Sequence, residues 1–176
     1  SSAGQLEMEM LRQATKGTYR HVPYDGGNPA VIAAVAGETP VVGCLLVEAG
    51  DMIRAKRLVP LAAISDKPVP LAGYGDIPPV TQWIPGMAAP LNYFGIWLPK
   101  DAPAEISATM TQVWHDRIAS SKVLQDYASR RAALFTPLDG AQAHDEAMKL
   151  VRQAAWLYYD GGKAKVSPDS LGIGRA

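Results

Sequence analysis

A single cysteine, Cys44, stands in a chain of 176 residues, so neither an internal disulfide nor a cysteine-built zinc site can form. Charge of one sign is missing too, because 17 basic side chains balance 17 acidic ones. A generic nucleic-acid binder needs a strongly positive face, which this balance does not provide, so no nucleic-acid partner is expected. Nor is there a long-range field to steer a charged ligand, and anion recognition would have to be local. No apolar run reaches the ~18 residues that a membrane-spanning helix requires. No basic stretch followed by an apolar one opens the chain, so no signal peptide is expected within it.

The catalytic motifs are absent as well. There is no G-x-S-x-G elbow, no Walker loop and no H-E-x-x-H pair. Gly73-Tyr74-Gly75 leads into Pro78 and Pro79 rather than a helix, so it is not a dinucleotide fingerprint. His21, His115 and His144 lie far apart, and the carboxylates are scattered. The expectation is a binding protein with no catalytic residue, no metal and no cofactor.

What is present is apolar content of 48%, enough for a real core, punctuated by 16 glycines and 14 prolines. Ser2, with Gln5 three positions on, reads as the capping box of a helix reaching about Lys16. Strands are expected at 19–22, 40–44 and 57–64, separated by helices at 30–36 and 47–55. Asn28 should cap the first of these, with Pro29 at its opening position. This alternation is the βαβ signature of a parallel sheet covered by helices. Residues 65–90 carry so many prolines and glycines that they read as an irregular excursion. A strand at 92–98, helices at 104–119 and 121–131, a short strand at 133–136 and a helix at 139–159 should follow. The tail from about residue 160 has no periodicity.

Two helix starts stand out, at residues 2–5 and 26–30. Each offers free backbone N–H groups at the positive end of a helix dipole. In a doubly wound α/β sheet such starts gather at the carboxyl ends of the strands, where ligands bind. Gly26 and Gly27 would let the backbone come close to an anion.

The segment His21-Val22-Pro23-Tyr24-Asp25-Gly26-Gly27-Asn28-Pro29-Ala30 resembles the H-V-P-Y-K-G-x-x-P-A stretch of the tripartite tricarboxylate transporter receptors, the TctC or Bug proteins. Residues 2–11 are similar to that family's opening helix of the second lobe, and residues 57–65 to its K-L-R-A-L-A-V-T-S strand. Pro79-Val80-Thr81, Pro85-Gly86 and Tyr93-Phe94-Gly95 resemble later family stretches in the same order. Asp25 stands where the family carries lysine, and Gln82 where it carries glutamate.

The resemblance implies an α/β periplasmic-binding-protein type II fold with an incomplete two-lobe architecture. Residues 1–90 would form the second lobe, and residues 91–176 would return to a first lobe whose leading half precedes Ser1. A second chain or dimer could complete that lobe. The implied function is a periplasmic receptor that captures a small carboxylate and delivers it to integral-membrane permease subunits. A ligand-sensing or interaction module on the same fold is the alternative. The expected ligand contacts are Ser2, Gly4, Tyr24, Gly26, Gly27 and Asn28, with Cys44 facing the cleft.

Overall fold

The computed structural model describes residues 3–87 and 91–175. Three helices come first: α1 (Ala3–Thr15), α2 (Gly27–Val35) and α3 (Leu46–Arg54). A short hairpin follows, β1 (Val69–Leu71) with β2 (Gly75–Ile77), and then a 3-10 turn at Val80–Gln82. The second half holds α4 (Ala104–Val113), α5 (Lys122–Arg130) and α6 (Gly140–Asp160), with a last 3-10 turn at Pro168–Leu171. The protein therefore combines α and β structure, with helices predominating.

The expected parallel sheet is not formed among the described residues. The sheet is two-stranded and antiparallel, pairing Val69 with Ile77 and Leu71 with Gly75. It lies within the stretch read as irregular, where Gly73 (φ 82°) and Gly75 (φ 126°) supply turn geometry closed to most residues. Pro70 is tolerated in β1 because it sits in an exposed position of an edge strand. Of the segments expected as strands, only 57–64 makes any bridge, a single parallel pairing of Ala63 with Pro79. Apolar content drove Val42, Cys44, Leu58 and Ala63 into the core, as a strand reading requires. A ladder also needs a neighbouring strand at hydrogen-bonding distance, and apart from the single Ala63–Pro79 bridge none pairs with these segments among the described residues.

The helices follow the sequence pattern more closely. α1 ends where Thr15 donates to the Leu11 carbonyl at 2.8 Å and Lys16 turns left-handed at φ 57°. α4 runs into a π turn at Trp114–Ile118, closed by a bond from the Ala119 N–H to the Trp114 carbonyl at 2.8 Å. Ser121 caps α5 by accepting from the Leu124 N–H at 3.3 Å. Asp139 precedes α6 as expected but makes no cap bond, since its carboxylate lies 2.7 Å from His115 Nε2 instead.

Two apolar clusters hold the molecule. Val31, Ala49, Ile53, Leu71 and Ile77 form the first, between α2, α3 and the hairpin. Leu6, Met10, Val80 and Met87 form the second, against which Leu150, Ala154 and Leu157 of α6 pack. Buried Glu9 strengthens this second junction by accepting from Arg12 and, at 2.7 Å, from Lys163.

The tail is also fixed. Trp156 donates to the Ile173 carbonyl at 3.0 Å, while Arg175 stacks 3.9 Å above the Trp156 ring and bonds both oxygens of Asp160. Arg175→Ala is expected to free the tail, so that limited trypsin digestion cuts at Lys163 and Lys165 several times faster than in the wild type. Unchanged cleavage rates would show that the clamp contributes nothing.

Candidate functional site

Three helix starts meet around residues 43–48. The beginning of α1 lies directly on this segment: a methyl group added at Gly4 would stand 1.9 Å from the Gly43 carbonyl oxygen. The segment then becomes α3, whose third residue is Glu48. That side chain reaches back to accept from the Leu45 N–H at 2.9 Å, making one arm of a capping box. Leu45 has no polar side chain to make the other arm.

The same carboxylate faces the first residue of α2. A methyl group added at Gly27 would lie 2.0 Å from Glu48 Oε2 and 2.1 Å from Oε1. Glu48 thus sets its negative charge at two helix N-termini at once, where macrodipoles and unpaired N–H groups favour it. The start of α2 is filled by a side chain from within the protein.

Glu7, one turn into α1, is the second carboxylate here. Burial raises its pKa to about 7, with the nearby Glu48 charge adding to the effect. Cys44 responds in the same way, its thiol pushed up to about 12 by burial first and then by Glu7 and Glu48. A thiol held this high stays protonated and is a poor nucleophile.

The expected contact residues divide. Ser2 lies outside the described residues. Gly4 and Gly27 do come to one place, but Gly4 is spent on backbone packing against Gly43 and Gly27 on contact with Glu48. Gly26, not Asn28, is the N-cap of α2, and its N–H closes a turn to the Tyr24 carbonyl at 2.8 Å. Pro29 consequently falls at the third helical position, which it can occupy because first-turn N–H groups have no intrahelical partner. Asn28 is exposed. Tyr24 turns its hydroxyl to Glu38 Oε2 at 3.1 Å. Cys44 packs against the first apolar cluster.

No family model, curated protein or solved structure matches the chain.

Glu7 and Glu48 are what the sequence reading missed. Glu48 carried a signal, a glutamate three residues beyond a helix start, but the leucine at the cap position hid the pattern. Among the described residues no cluster of His, Cys, Asp and Glu could hold a metal ion. An open groove of about 530 Å³ lies elsewhere, between the hairpin and α5, lined by Leu71, Asp76, Gln125, Ser129 and Phe135. It contains none of the expected contact residues. The neighbouring Arg54 is already spent on Asp51 and on the Ala72 and Arg130 carbonyls.

Proposed function

We propose that the chain is the carboxylate-binding part of a periplasmic solute receptor of the tripartite tricarboxylate transporter type. In this reading it has the type II binding-protein architecture, delivers its ligand to permease subunits and performs no catalytic step. The observation that carries the proposal is the seat of Glu48. A carboxylate already occupies the place where the starts of α2 and α3 converge, so the local chemistry suits that group. Glu48 holds this seat, and in this reading the carboxylate of a small di- or tricarboxylic or aromatic acid replaces it.

Each helix start favours a carboxylate by about 0.3–1 kcal/mol beyond its hydrogen bonds, so two of them together give a modest preference. Displacing Glu48 offsets much of that preference, and the remaining contacts set affinity. Glu7 adds a condition. With its pKa at about 7 it is largely neutral on the acid side of that value and repels an anionic guest less there.

Calorimetric titration with citrate, succinate and benzoate tests the reading on the wild type and on Glu48→Ala. Removing the internal competitor is expected to tighten binding of at least one acid about tenfold or more, equivalent to about 1.4 kcal/mol. Flat heats for every acid with both proteins would overturn the assignment.

A further inference from the structure

The molecule exposes 11737 Å² of surface for its 18.8 kDa. A folded monomer of this mass is expected to expose roughly 8,300 Å², leaving an excess of about 3,400 Å². A standard interface removes only about 800 Å² from each partner, and obligate ones up to about 2,500 Å². The surplus is therefore larger than a stable dimer needs.

One run of chain concentrates exposed apolar side chains. Residues 91–98 read Leu-Asn-Tyr-Phe-Gly-Ile-Trp-Leu, without a charge or a proline. Phe94 is 72% exposed, Ile96 65% and Trp97 64%. Between residues 91 and 98 there is no helix or turn, and no hydrogen bond to any described residue. Among the described residues, none pairs with a backbone donor or acceptor of this run. The adjoining α4 has no buried residue and exposes Ile106 and Val113.

A β-prone, uncharged run whose backbone groups pair with no described residue is a template for strand addition. We infer that residues 91–98 pair antiparallel with the same residues of a second copy of this chain, across a two-fold axis. A two-fold axis brings like against like. Two charged runs would repel there, whereas this one carries nothing to repel. The pairing sets Gly95 opposite its own copy, Phe94 opposite Ile96, Tyr93 opposite Trp97 and Asn92 opposite Leu98. Phe94 and Ile96 share one face of the ribbon with Leu98, because side chains alternate along a strand. Carboxylate binding plays no part in this inference.

Light scattering on a sizing column, with the full chain at about 100 μM, tests it. The expected mass is about 38 kDa, twice the chain mass. Ile96→Lys should return it to one chain mass with an unchanged far-ultraviolet spectrum, since the side chain is exposed within the protomer. Hydrogen exchange on the wild type gives a readout independent of that variant: amides 91–98 should be protected at high concentration and lose protection on dilution. A wild-type monomer at this concentration overturns the proposal. So does a dimer that Ile96→Lys leaves intact, or one whose 91–98 amides exchange freely. A monomer with those amides free would instead assign the edge to a different polypeptide.

Discussion

Gly4→Ala is expected to lower the melting temperature by roughly 6–12 °C, for a stability loss of about 3 kcal/mol. The new methyl would stand 1.9 Å from the Gly43 oxygen and 2.6 Å from the Gly43 carbonyl carbon. Both atoms belong to backbone, so relief requires moving the α1 start or the 43–45 segment as a body. Gly43 leaves little room for this, because a methyl on its own α-carbon would meet the Gly4 carbonyl oxygen at 2.8 Å. Gly27→Ala makes an instructive contrast. Its methyl also falls 2.0 Å from another atom, but that atom ends a flexible glutamate side chain that can swing aside. Its melting temperature should stay near the wild type while Glu48 is displaced from the α2 start. Gly174→Ala, with nothing within 4 Å, should be silent. Calorimetric melts of the three variants check the order, and a Gly4→Ala melt within a degree or two of wild type would refute the close approach.

These glycines also show what the sequence could carry. That residues near 4 and 27 open helices was legible, because helix starts are local and written in neighbouring residues. What each glycine touches was not: Gly43 is far from Gly4 along the chain, and Glu48 far from Gly27. The same division runs through the fold. The amphipathic period placed α4, α5 and α6 within a residue or two at most ends, and left-handed Lys16 stops α1 without needing a glycine. Strands were misjudged because an apolar run settles neither full burial nor pairing: Val59 and Leu61 are exposed, and a ladder depends on what lies beside it. Val42 and Leu58 are half-buried, but Val41, Val59 and Leu61 of the same runs are exposed, and neither segment joins a ladder among the described residues. The hairpin at 69–77 was hidden by the prolines and glycines around it, two of which shape its turn. Charge was the least legible property. Glu7, Glu9 and Glu48 look alike in sequence, but Glu9 meets two cations and Glu48 two helix starts, while no described residue donates to Glu7.

Glu7→Gln is expected to stabilise the protein at about pH 8 by roughly 1–3 kcal/mol, an unusual sign for a change at a half-buried site. Glu7 has an ordinary pKa of 4.5 when unfolded, and burial, then Glu48, raises it to about 7 in the fold. The folded protein therefore holds a proton that the unfolded chain releases between these values. Stability falls as pH rises from 4.5 and levels off above about 7, with a full penalty of about 3 kcal/mol. Glu9 acts in the opposite sense. Hydrogen bonds from Arg12 and Lys163 hold its carboxyl at about 2, so its contribution is complete above 4.5 and disappears as pH falls through 2. The contribution of these two glutamates alone is most favourable near pH 4–5. In Glu7→Gln the downward limb between 4.5 and 7 should vanish while the acid limb set by Glu9 remains. The amide is itself polar and half-buried, which holds the gain at pH 8 below the full penalty. Urea unfolding of both proteins across about pH 3–8 measures this directly: curves that run parallel over the whole range would mean that Glu7 ionises as freely in the fold as outside it.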